Sequence, residues 1–282
     1  MIHIDKLTVR FGKFVAVDEL SLDADAGQVF GFLGPNGAGK TTTIRVLTGV
    51  LRPTSGSVEI AGHSIPAQLD RAKLVCGYVP DTEDFFEELN GRDNLKIFAG
   101  LYCVPVSRVG EVLDQLELSE AAKLRVSRYS KGMRKKLLIA REILHQPKVL
   151  FCDEPTANLD AHSTGVVRRI LTELRDRGTT IFLTTHNMAE VEEICDRVAI
   201  LSRGRLIDSA SPTAFMTRHV ENQVRVERDE DGRTTRQLFN MDDEASRGEL
   251  AELLRNEPGL RMHSVEYRFE DVFKKLTGEA YQ

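Results

Sequence analysis

The stretch Gly34-Pro35-Asn36-Gly37-Ala38-Gly39-Lys40-Thr41 fits the pattern G-x-x-x-x-G-K-[ST]. It stands between an apolar run, Val29-Phe30-Gly31-Phe32-Leu33, and a stretch over 40–50 that reads as a helix. This context constrains the chain more than any other feature, because a buried strand has to run straight into a glycine-rich loop and then a helix. Glycines let the backbone fold tightly, so that successive amide N–H groups converge on an anion. The helix that follows adds the positive end of its dipole. Lys40 supplies a mobile charge for the outer phosphates, and the Thr41 hydroxyl suits a magnesium ion. Residues 34–42, Thr42 included, are therefore expected to hold a nucleoside triphosphate; a plain glycine-rich turn with a solvent lysine fits the context poorly.

A phosphate loop does not by itself imply hydrolysis. About 110 residues on, the apolar run Val149-Leu150-Phe151-Cys152 ends in Asp153-Glu154. A carboxylate at the end of a buried strand beside the first can reach a magnesium ion held by Thr41, which is the role expected of Asp153. Glu154, pointing elsewhere, is the candidate to orient and polarise an attacking water. The competing reading, acidic residues at a helix start, sits badly with the apolar run before the pair and Pro155 after it.

Alternation of apolar and polar residues predicts half-buried strands over 2–9 and in parts of 17–23. Pro53-Thr54-Ser55-Gly56 is turn chemistry before a short strand at 58–60. Helical periodicity runs over 92–126 and 163–176, and Thr180-Ile181-Phe182-Leu183-Thr184 is a third buried strand. Alternating strands and helices argue for a parallel sheet covered by helices, with a smaller antiparallel sheet beside it. After about Pro212 the composition becomes more charged, with short strands expected at 222–227, 233–239 and 262–269 and helices at 244–255 and 270–277.

Composition narrows the functional classes. A net charge of -5 offers no global basic field for nucleic acid or anionic lipid, and no nucleic-acid partner is expected. The cluster Arg134-Lys135-Lys136 reads as a solvated helix face. The four cysteines are scattered, with neither a Cys-x-x-Cys pair nor a metal-ligand grouping, which suits a reducing cytosol. No signal peptide is evident at the N-terminus, and no run of 18 apolar residues is present. A chain of this kind that works at a membrane has to borrow the spanning part.

In order and spacing these motifs resemble the ATP-binding-cassette ATPases, over roughly residues 1–215. The family's strand, Asp-Glu, Pro-Thr and loop ending in Leu-Asp is matched by Asp153-Glu154-Pro155-Thr156-Ala157-Asn158-Leu159-Asp160. Its switch histidine is matched by His186, and its adenine-stacking aromatic by Phe11 beside Gly12. Its signature, usually Leu-Ser-Gly-Gly-Gln, is matched by Tyr129-Ser130-Lys131-Gly132-Met133. The resemblance implies a P-loop NTPase core of α/β class, with an antiparallel β subdomain and a helical subdomain, over residues 1–215. Residues 216–282 would be a small α+β appendage. It implies ATP and Mg²⁺ as ligands and Glu154 and His186 as the hydrolytic residues. Two chains would close head to tail, a homodimer being the simplest case, so that Ser130 and Gly132 of one meet the nucleotide of the other.

Lys131 and Met133 depart from the signature, and Asp81 stands where most members carry a glutamine that senses the metal; Asp81 keeps the chemistry of a magnesium ligand on a shorter, charged arm. Phe85, Phe86 and Leu89 lie where transporters of this family dock a helix of the membrane subunit, and a core role for them stays open. The tail from Val265 to Gly278 is similar to that of bacterial cassette subunits paired with separate export-type permeases. The expectation is an ATPase on the cytoplasmic, inner face of the cell membrane that powers an exporter. The alternative is a soluble cassette ATPase remodelling a protein or nucleic-acid assembly.

Overall fold

Alternation, interrupted by a register shift between Ile4 and Leu7, places Ile2, Ile4, Leu7 and Val9 of β1 (Ile2–Phe11) in the core, with Val17 and Leu20 of β2 (Phe14–Ala24) paired antiparallel beside them. The computed structural model describes residues 1–230, 233–257, 259–265 and 267–278, without the side chains of 229, 230, 233 and 234. β3 (Val29–Leu33) is buried at every position, as a strand covered on both faces has to be. It feeds through the glycine loop into α1 (Lys40–Leu47). β4 (Ser55–Ile60) and β5 (His63–Ile65) complete a four-stranded antiparallel sheet in the order β2-β1-β4-β5.

The chain then runs through α2 (Leu69–Val75), β6 (Cys76–Val79), α3 (Gly91–Leu101), α4 (Ser107–Gln115) and α5 (Lys131–Ile143). It continues through β7 (Val149–Asp153), α6 (Ala161–Asp176), β8 (Thr180–Thr184), α7 (Met188–Ile194), β9 (Arg197–Ser202) and β10 (Arg205–Ala210). The second sheet has the order β10-β9-β3-β8-β7-β6, parallel except for β10. Phe182 of β8 stacks on Phe30 of β3 at 5.5 Å and meets Phe151 of β7 at 6.0 Å, a contact worth about 1 kcal/mol per pair beyond area burial. Because β3, β7 and β8 are parallel neighbours, Leu33, Asp153 and Thr184 end at one edge of the sheet, where open α/β sheets bind ligands.

Two compact units result, Met1–Pro212 together with Thr277–Gln282, and Thr213–Leu276. The second follows from α8 (Pro212–His219) and holds β11 (Gln223–Glu230), β12 (Arg233–Asn240), α9 (Glu244–Asn256), β13 (Arg261–Ser264) and α10 (Phe269–Thr277). Its sheet has the order β12-β11-β13 and packs Val226 and Phe239 on Leu250 of α9.

The structure corrects three expectations. The helical periodicity over 92–126 is two helices, α3 and α4, broken where Cys103 takes a positive φ before Pro105 and ended at Glu117, also at positive φ. The strand expected at 262–269 stops at Ser264, and Phe269 already opens α10, where it is fully buried. Arg134-Lys135-Lys136 is not a solvated face: Lys135 is 1% and Lys136 5% exposed. The segment following β6 covers that side of α5.

Candidate nucleotide site

The loop after β3 is shaped by backbone that only glycine supplies cheaply. Gly39, at φ 106, caps α1, and a Cβ there would stand 2.6 Å from the Ala16 carbonyl oxygen. Inside the loop Ala38 N–H donates to Pro35 O at 3.1 Å, and Lys40 Nζ donates to Gly34 O at 2.5 Å and Pro35 O at 3.1 Å. Lys40 thus folds back over its own loop. Burial pulls its pKa down, and Glu154 and then Asp153 pull it back up. A cavity of about 330 Å³ opens here, walled by the loop from Asn36 to Thr42, by Asp81, Asp153 and Glu154, and by Phe14 and Ala16 from β2.

The carboxylate pair diverges for a backbone reason. Asp153 ends β7 and is buried, and Thr184 Oγ1 donates to its Oδ1 at 2.5 Å. Glu154 stands at φ 51, a conformation that costs a non-glycine residue about 1–2 kcal/mol. Its N–H donates to Thr184 O at 3.1 Å. The turn sends its side chain away from that of Asp153 and toward His186: His186 Nδ1 lies 2.8 Å from Glu154 Oε2.

The remaining expected residues fall into two groups. Phe11 and Phe14 are register partners across the hairpin turn and both are exposed; Phe14 walls the cavity and Phe11 is not among its lining residues. Ser130 and Gly132 do not line the cavity either. Ser130 caps α5, accepting from Met133 N–H at 3.2 Å, so the amides of the first turn of α5 face outward from a helix N-terminus. Gly132 lies against α6, where a Cβ would collide with the Ser163 hydroxyl held by the cap residue Asp160.

Sequence reasoning missed several partners. Thr184, which holds both Asp153 and Glu154, shows in the sequence only as part of a strand. Lys135 Nζ donates to Pro80 O at 3.1 Å and Asp81 O at 3.2 Å; its burial pulls its pKa down while Asp81, then Glu83, pull it up. Glu190 of α7 is wholly buried, and desolvation raises its pKa against the hydroxyls of Thr185 and Thr156 and an Arg168 guanidinium 3.9 Å away. Its place four residues after His186 is the only signal the sequence offered.

A glycine loop with a folded-over lysine, a strand-end aspartate and a glutamate paired with a histidine define a P-loop nucleoside triphosphatase of the ATP-binding-cassette fold. The family model described as ABC transporter matches residues 17–157. The chain is 36% identical over 283 residues to a fluoroquinolones export ATP-binding protein of Mycobacterium tuberculosis (strain CDC 1551 / Oshkosh), covering 99% of this chain and 93% of that protein. It is 34% identical to a Nod factor export ATP-binding protein I of Rhizobium sp. (strain N33), covering 95% and 94%. Among solved structures, an ATP-binding subunit of an ABC transporter superposes with a TM-score of 0.72 at 25% identity, over 77% of this chain and 92% of that one. A dimeric ATP-binding cassette in a post-hydrolysis state with ADP and Pi gives a TM-score of 0.68 at 21% identity, over 75% and 98%. The chain belongs to the ABC transporter family, as an ATP-binding, ATP-hydrolysing subunit.

Proposed function

We propose that ATP hydrolysis at this cavity drives export through a separate transmembrane permease at the inner face of the cell membrane, with two copies of this chain closing on two nucleotides. The observation that carries the reading is the end-to-end likeness to export ATP-binding proteins, which covers 99% of the chain and so includes the region after Pro212. Among the described residues no helix is long and apolar enough to cross a membrane; in this reading another chain supplies the spanning path. In this division residues 1–215 are the motor and residues 216–282 the appendage.

The mechanism follows from the residues. The loop amides from Gly34 to Gly39 and the N-terminus of α1 bind the phosphates, and Lys40 leaves its own carbonyls for the outer phosphate oxygens. The donor set suits Mg²⁺: a hydroxyl and carboxylates, Thr41, Asp153 and Asp81, wall the same cavity, and no described cluster of three or more His, Cys, Asp or Glu side chains could hold a metal unaided. A metal bound there would supply neutralisation of the charge shared by the outer phosphates. Glu154 orients a water and accepts its proton, while His186 fixes the rotamer of Glu154 and approaches the terminal phosphate. Phe11 stacks on adenine. Ser130 and the Gly132 amide complete the phosphate shell of the partner copy, so ATP favours the closed pair by mass action. The test is ATP-driven efflux from vesicles holding this chain and its permease, with ATP turnover measured in parallel. Turnover without any permease-dependent transport would sink the export reading and leave the ATPase standing.

A further inference from the structure

Helix α5 reaches back across the molecule with its cations. Lys135 Nζ donates to the carbonyls of Pro80 at 3.1 Å and Asp81 at 3.2 Å. Arg134 donates to Glu83 at 3.1 Å and to Glu87 at 3.0 Å, and Arg141 Nη1 donates to the Asp84 carbonyl at 2.9 Å. The segment from Pro80 to Glu87, which follows β6, is therefore clasped along its length by one helix. Arg134 and Arg141 make ordinary surface or half-buried ties. Lys135 differs: at 1% exposure its ammonium has left water altogether.

A buried ammonium is stable only when its donors are used and its charge is balanced. Two carbonyls use two of its three N–H donors. Of the nearby carboxylates Asp81 acts on it most strongly, ahead of Glu83, through space rather than as a direct ion pair. Asp81 also walls the cavity from the other side, together with Asp153 and Glu154, and the cation among the cavity's lining residues is Lys40. Three carboxylates in a cavity for a polyanion are an electrostatic difficulty, and an aspartate where the family mostly has a neutral glutamine deepens it.

We propose that Lys135 is a positioning residue and counter-charge for Asp81, holding the 80–81 backbone against α5 and letting an aspartate face a triphosphate. The inference rests on the reading of the cavity as the ATP site. Since α5 begins at Ser130, the same tie links the loop lining one nucleotide site to the helix whose N-terminus faces the other.

The test is equilibrium displacement of a fluorescent ATP analogue from the full chain without divalent cation, with Mg²⁺-dependent turnover alongside. Lys135→Gln keeps an amide donor for the two carbonyls and removes the charge. Its ATP affinity is expected to fall about tenfold, and Asp81→Asn in the same chain to restore it to within about twofold of the parent, the non-additivity of coupled charges. Asp81→Asn alone is expected to change ATP affinity by less than about twofold, because Lys135 already balances that carboxylate. Additive effects, or a Lys135→Gln chain that binds as the parent does, overturn the inference. Should Lys135→Gln not fold, Asp81→Asn alone decides: binding within about twofold of the parent supports the counter-charge and markedly tighter binding removes it. A parent chain that binds no ATP would overturn the nucleotide-site reading and this inference with it, whereas a binding parent with additive variants overturns the inference alone.

Discussion

His186 and Glu154, 32 residues apart, meet twice: Nδ1 of the histidine lies 2.8 Å from Glu154 Oε2, and the His186 backbone N–H donates to the same oxygen at 3.3 Å. The rotamer of the carboxylate is thus set from the end of β8 as well as from its own strained backbone. Glu154→Gln keeps the size and removes the base, so steady-state turnover is expected to fall by about 10²–10⁴-fold with ATP binding retained. Adding His186→Ala to that variant should cost little more, because residues that act as a unit lose activity non-additively. A Glu154→Gln chain with parental turnover would remove the carboxylate from the chemistry.

Phe11 and Phe14 face each other across one hairpin turn, so the adenine platform can be mapped by comparing them. Phe11→Ala is expected to weaken ATP by roughly 1–3 kcal/mol and to leave inorganic triphosphate binding unchanged. The readout is calorimetry with each ligand. A larger loss from Phe14→Ala would place the platform on β2 instead of β1.

Gly39→Ala should damage fold and site together. A Cβ at φ 106, 2.6 Å from the Ala16 carbonyl, strains the loop and pushes on β2. The expected destabilisation is about 1–3 kcal/mol by urea unfolding, with ATP no longer raising the midpoint. A variant still protected by ATP would show that the loop tolerates a different backbone.

Glu190 gives a pH prediction. Desolvation raises its folded-state pKa above the ordinary 4.5, so the folded chain holds this proton more tightly than the unfolded one. The group's stability contribution is full below pH 4.5 and is lost as pH rises through the raised value. Glu190→Gln is therefore expected to melt higher than the parent at pH 7 to 8, with the gap closing toward pH 4.5. Equal melting temperatures across that range would show that Arg168, Thr156 and Thr185 offset the burial fully.

What the sequence made legible was what periodicity and local chemistry determine. Val29–Leu33, Val149–Asp153 and Thr180–Thr184 are runs that only a sheet covered on both faces accommodates, and they are the strands that carry the site. The glycine loop and the Asp153-Glu154 pair were readable because their chemistry is contiguous. Lys135 was not, because its burial depends on Pro80 and Asp81, more than fifty residues upstream, folding over it. Nor was the end of β13: Val265 onward alternates like a strand, and only the packing of Phe269 into a core turns it into a helix start. β9 and β10 left too weak a pattern beside the stronger runs to be read at all.

The strand order carries a consequence for how the protein is made. β3 lies between β8 and β9, and its first partner in β8, Ile181, is synthesised roughly 150 residues after Val29. At the usual 5–20 residues per second, Phe30 and Phe32 leave the ribosome roughly 8–30 s before either neighbouring strand exists. For that interval a wholly apolar strand has neither neighbouring strand to pair with, and Asp153, synthesised before β8, lacks the Thr184 hydroxyl that holds it. A nascent chain halted before β8 should therefore be a client of chaperones and blind to ATP.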